Sequence, residues 1–77
     1  MPTVLRERGF RIVIYPDDHD PAHVHVYSGG DCAVINLLDF EVRDLDMSQA
    51  TLRKARVVVI NHRAYLLERW ENVHGDN

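Results

Sequence analysis

Apolar residues along this chain keep two different periods, and the change between them divides it. Up to Leu45 they come in short runs broken by turn residues. "FRIVIY", Phe10 to Tyr15, is β-branched and aromatic, follows Gly9 and stops at Pro16, which has no N–H to give to a ladder, so it predicts a central strand. "PTVLRE", before Gly9, is a weaker candidate for its hairpin partner. The stretch from Pro21 to Tyr27, ending in "HVHVY", alternates polar and apolar positions and runs into Gly29-Gly30, after which "CAVINLL" resumes in the manner of a hairpin. "FEVRDL", Phe40 to Leu45, is a candidate for a further strand.

Further on, the spacing lengthens. Leu52, Ala55, Val59, His62, Leu66, Trp70 and Val73 recur every three or four residues and fall on one stripe of an α-helix. Ser48 can accept a hydrogen bond from the free amides of the first turn, Met47 can pack on Leu52 as a hydrophobic staple, and Gly75 supplies a stop. The run Val57, Val58, Val59, Ile60 argues the other way, because β-branched side chains lose rotamer freedom in a helix, and a strand at "RVVVIN" is the competing reading. In the helical reading Val57, Val58 and Ile60 widen the apolar surface beyond one stripe, and that surplus needs covering by the sheet or by a second copy of the chain. The expected architecture is a single α+β domain over residues 1–77, a small mainly antiparallel β-sheet packed on one long C-terminal α-helix.

Composition sharpens this in three places. With 77 residues and 45% hydrophobic content there is room for one core, and a domain of this size hides only about 60% of the surface its unfolded chain exposes. A net charge of -3 does not mark a protein whose affinity comes from neutralising phosphates. From Leu52 onward Arg53, Lys54, Arg56, Arg63 and Arg69 outweigh Glu68, Glu71 and Asp76, which makes a mildly basic segment whose ordinary explanation is a solvated helix face. The single cysteine, Cys32, cannot close an internal disulfide, and "MPTVLRERGF" has charge where a signal peptide needs an apolar core, so a cytoplasmic location is expected. No apolar run approaches the roughly 20 residues of a membrane-spanning helix.

Chemistry concentrates in "DDHDPAHVHVYS", Asp17 to Ser28. Side chains two apart on a strand point the same way, which puts His23, His25 and Tyr27 on one face and Val24 and Val26 on the other. Two imidazoles on a stiff strand suit a divalent transition metal such as zinc, whose sites complete their shell with carboxylate and water. His19, four residues before His23, and Asp17, Asp18 or Asp20 are the local candidates for further ligands. His62 is the remote one: it stands in the apolar stripe where leucine is the default, and a buried imidazole must hydrogen-bond or coordinate. The expected metal set is therefore His19, His23, His25 and Asp18, with His62. Two other readings stay open. In one, His19 caps a turn, His23 and His25 face solvent, and His62 bonds a backbone carbonyl or Tyr27. In the other, His23 and His25 are a metal-free acid/base pair of ribonuclease-like type. Ser28-Gly29-Gly30 lacks the context of a phosphate cradle, the aspartates lack the register of a calcium loop, Cys32 reads as a small packing residue, and Leu66 and Trp70 read as core anchors.

"MPTVLRERGF", "DHDPAHVHV" and "NHRAYLLERW" together resemble the small bacterial proteins grouped as domain of unknown function 4160, and the resemblance covers essentially the whole chain. Ala22 stands where that family usually has a second proline. Carried over by position, the family's characteristic residues are Asp18, His19, Pro21, His23 and His25, with His62 where histidine is familiar. The resemblance implies one half of a two-gene cassette of toxin-antitoxin type. That is a module binding a small partner protein from a neighbouring gene; in the toxin version of the pair, a histidine-rich cleft beside basic residues would cut or bind RNA. The surplus apolar surface of the helix, in a domain with so small a core, separately leads to the expectation of a homodimer or a stable complex with that partner.

Overall fold

A computed structural model describes residues 3–74. Five strands form one antiparallel sheet in chain order: β1 (Thr3–Glu7), β2 (Phe10–Val13), β3 (His23–Ser28), β4 (Asp31–Asn36) and β5 (Val42–Asp46). Each strand except β1 and β5 is paired on both sides, with β3 in the middle. Two of the turns follow directly from the residues in them. Arg8 and Gly9 both have positive φ, at 55° and 83°, which is what a two-residue hairpin linking Glu7 to Phe10 requires. Gly29, at φ 60°, turns the chain between Ser28 and Asp31.

The alternation expected for β3 is present. Val24 and Val26 join Ile12, Ala33 and Ile35 in the core beneath the helices, while His25 is carried on the opposite face in register with Val13 and Val34. Ile14 lies just past β2 and is still fully buried in that core.

The C-terminal third is not one long helix. It forms α1 (Gln49–Asn61) and α2 (Arg63–His74), and the break falls at His62, whose φ of -114° and ψ of 20° leave the helical region. Asn61 and His62 are weak helix formers, and they follow four β-branched residues that gain little from staying helical. The His62 N–H closes α1 on the carbonyls of Val58 and Val59, and its own carbonyl accepts the Leu66 N–H at 2.9 Å, so α2 resumes at once. The rest of the stripe holds: Leu52, Ala55, Val59, Leu66 and Trp70 are buried, Val58 joins them, and Val73 packs on their margin. The competing strand at "RVVVIN" does not form, since those residues lie in α1. Ser48 caps α1, its Oγ accepting the Thr51 N–H at 3.1 Å, and Met47 packs against the cluster that holds Leu52. Gly75, the expected stop, lies outside the described residues.

Two features bear on function. Val57 and Ile60 remain 46% exposed on the outer side of α1, where Arg53 and Arg56 flank them. Among the described residues, no helix is long and apolar enough to cross a membrane.

Candidate functional site

The site is assembled from three places in the chain. The first is the turn after β2. There the Asp18 N–H donates to the Tyr15 carbonyl at 3.0 Å, while Asp18 Oδ2 accepts the Tyr15 N–H at 3.1 Å. This reciprocal pair fixes the carboxylate against the end of the sheet. The second place is the start of β3, which presents both imidazoles to that carboxylate: His25 Nε2 lies 3.1 Å and His23 Nε2 3.5 Å from Asp18 Oδ2. The third is β5, from which Arg43 reaches across to bring Nη1 within 2.8 Å of His23 Nδ1.

Aromatic rings enclose this group. Tyr15 meets His25 edge-on at 4.8 Å between ring centroids, and Trp70 of α2 lies 5.3 Å from His23. The side chains of His23, Asp18 and His25 are only 7%, 15% and 22% exposed. Beyond His25, the Tyr15 and Tyr27 hydroxyls share a hydrogen bond of 2.8 Å, with the Arg11 guanidinium over the Tyr27 ring. That hydrogen bond, with burial adding to it, pushes the Tyr27 phenol up to about 12.

Of the residues singled out in sequence, Asp18, His23 and His25 converge, with ligand atoms all within 4.8 Å of one another. His19 does not join them. It is exposed, because the turn that draws Asp18 inward sends the next side chain out. Asp17 and Asp20 are exposed as well. His62 is also elsewhere: at the helix break its side chain is 32% exposed, with Nε2 3.8 Å from Glu7 Oε2. The helix closes over the site through Trp70 instead. The solvent-facing reading of the strand histidines fails at His23, which is buried.

Three participants were missed in sequence. Tyr15 stood at the end of an apolar run, Arg43 had no local signal, and Trp70 read only as a core anchor; Asn36 lies opposite His23 in the ladder. The Asn36 Oδ1 atom is buried without a donor among the described residues.

Does this trio fit a metal ion? Nitrogen and oxygen ligands about 2.0–2.1 Å from one ion, at angles between octahedral and tetrahedral, stand about 2.9–3.4 Å apart. The separations from Asp18 Oδ2, 3.1 Å to His25 and 3.5 Å to His23, are close to that size, while the three ligand atoms as a set lie within 4.8 Å of one another, so the residue types fit an ion and the two imidazoles would have to draw together to share it. The His23 Nδ1 also lies 2.9 Å from the Pro21 carbonyl oxygen, the kind of outer contact that orients a metal-binding imidazole through its other nitrogen. Two imidazoles and one carboxylate leave coordination positions for water or substrate.

A small α+β protein with a half-buried histidine and carboxylate cluster at one end of its sheet is the class these features define. Residues 9–71 match the family model described as a domain of unknown function (DUF4160), and the chain belongs to that family. No curated protein and no solved structure matches it.

Proposed function

We propose that Asp18, His23 and His25 bind a divalent transition metal, zinc being the simplest choice, and that this centre is the functional site. The observation that carries the reading is the convergence of the three ligand atoms within 4.8 Å of one another, two on one strand and one on a turn pinned by Tyr15. A centre with three protein ligands resembles catalytic metal sites rather than closed structural ones, and such a metal activates a bound water for hydrolysis. In this reading His23, His25 and Asp18 serve as ligands, Asp18 also supplying the negative charge, and Tyr15 and Trp70 limit access of solvent. Zinc titration of the purified protein, followed by calorimetry, tests it. One equivalent bound well below millimolar is expected, and the double change His23→Ala, His25→Ala abolishes it; binding that survives the double change defeats the proposal.

A second reading, compatible with the first, is that the chain is the partner-binding half of a toxin-antitoxin-type pair in the cytoplasm. The outer face of α1 favours it: Val57 and Ile60 are uncovered, and Arg53 and Arg56 beside them suit an acidic amphipathic segment of a small partner protein. RNA suits this face less well, since it sets aliphatic rather than aromatic side chains between its arginines. Copurification with the product of the neighbouring gene, lost in Val57→Glu, is the expected result. A partner that binds Val57→Glu as tightly as the unaltered chain places its interface elsewhere.

A further inference from the structure

β5 is an edge strand, and its ladder with β4 is interrupted at one point. Val34 pairs with Asp44 and Ile35 with Val42, so Arg43 is an extra residue on β5 with no opposite number. A bulge of this kind re-aims the side chain it carries. Here it delivers a guanidinium to the inner edge of His23, and among the described residues no carboxylate lies within 4.0 Å of Arg43. Its close partner is the imidazole.

That contact conflicts with another. His23 Nδ1 is 2.8 Å from Arg43 Nη1 and 2.9 Å from the Pro21 carbonyl oxygen. Arginine only donates and a carbonyl only accepts, so in a neutral imidazole one nitrogen cannot satisfy both. If Nδ1 carries the lone pair, it accepts from Arg43, and the proton sits on Nε2, facing Asp18. If Nδ1 carries the proton, it donates to Pro21, Nε2 is free to bind a metal, and Arg43 faces an N–H and must withdraw. The two tautomers correspond to two states of the centre.

We propose that Arg43 is a positioning residue that selects the tautomer of His23: it holds the metal-free centre with the proton on Nε2, and metal uptake expels it. The inference rests on the metal reading above for its functional meaning, while its structural half concerns the metal-free protein alone. Arg43 thereby sets how readily the centre fills, and anything that draws the guanidinium away from His23 favours filling.

Long-range proton–nitrogen NMR of the imidazoles in the full chain, in mildly alkaline solution and without metal, reads the tautomer directly. The expected result is a proton on Nε2 of His23 in the wild type, a shift of that proton to Nδ1 in Arg43→Met, and retention of the wild-type tautomer in Arg43→Lys, which keeps a charged donor. Zinc affinity in Arg43→Met then rises by about tenfold or more, because a charge-assisted hydrogen bond no longer has to be broken. A wild-type His23 already protonated on Nδ1, or the same tautomer in Arg43→Met, overturns the inference whatever the metal does. A tautomer that moves as expected in a protein that binds no zinc confirms Arg43 as the selector and defeats the metal reading.

Discussion

Asp18→Asn is the sharpest perturbation of the centre, since it keeps the shape of the side chain and an oxygen for the Tyr15 N–H but removes the negative charge between the two imidazoles. A ligand that binds only the folded state stabilises it by mass action. With free zinc at about one hundred times its Kd, the gain is about 2.7 kcal/mol. For a domain of this length about 4–8 °C of Tm accompanies each kcal/mol, so zinc raises the wild-type Tm by about 11–22 °C. Losing the one anionic ligand weakens binding by about tenfold at the least, the lower end of what even an outer contact to a metal site contributes. At the same zinc concentration that removes about 1.3 kcal/mol, or about 5–10 °C of the shift. Thermal unfolding followed by circular dichroism, with and without zinc, measures both quantities. Protons compete for the imidazole nitrogens, so the shift also shrinks on acidification. Equal zinc shifts in the wild type and Asp18→Asn, or no shift in either, would refute the reasoning.

Three further outcomes are expected. His62→Ala lowers stability by no more than about 1 kcal/mol, because the side chain is partly exposed and its contact with Glu7 is of surface type; the denaturant midpoint checks this. Leu66→Ala, which empties a fully buried position where α2 meets the sheet, destabilises by about 2–5 kcal/mol in the same assay. Tyr27 keeps its proton up to about 12 in the fold, whereas a free phenol releases it at 10.0, so the folded chain holds more protons across that interval. Its contribution to stability is present in full below pH 10.0, declines through the interval and is lost above about 12; Tyr15→Phe, which removes the largest cause of the shift, narrows the interval in a phenolate absorbance titration.

The parts of the fold legible in the sequence are those that local chemistry decides. Gly9 and the Gly29-Gly30 pair announced two hairpins, and Ser48 announced the start of α1. The alternation of "HVHVY" placed two valines in the core and the histidines opposite, and the resemblance to the family was confirmed over residues 9–71. What escaped depended on single-residue irregularities. The helix breaks at one residue, His62, and a periodic stripe passes through such a break without changing its spacing. At the turn, sequence named Asp18 and His19 together, but only the reciprocal bonds with Tyr15 decide which of two neighbours points inward. Arg43 enters through a bulge twenty positions along the chain from His23, and a bulge leaves no mark on the pattern of polar and apolar residues.

The arrangement of the two sheet faces bears on what a bound metal is for. Domains below about 70–80 residues often rely on a metal or a disulfide to remain folded. Here, however, the apolar core that unites Ile12, Ile14, Val24, Ile35 and Leu37 with both helices meets the histidine cluster at its margin, where Trp70 lies against His23. The cluster already satisfies much of its own polarity, since Asp18 is held by Tyr15 and both imidazoles face its carboxylate. A metal of purely structural use would be enclosed by four protein ligands, whereas this one would meet three and retain an open side. The fold is therefore expected to stand without metal. Treatment with a chelator returns the Tm to its metal-free value and leaves the helical circular dichroism of α1 and α2 intact at room temperature. Collapse of that signal on chelation would instead assign the centre a structural role and count against hydrolytic chemistry at its open positions.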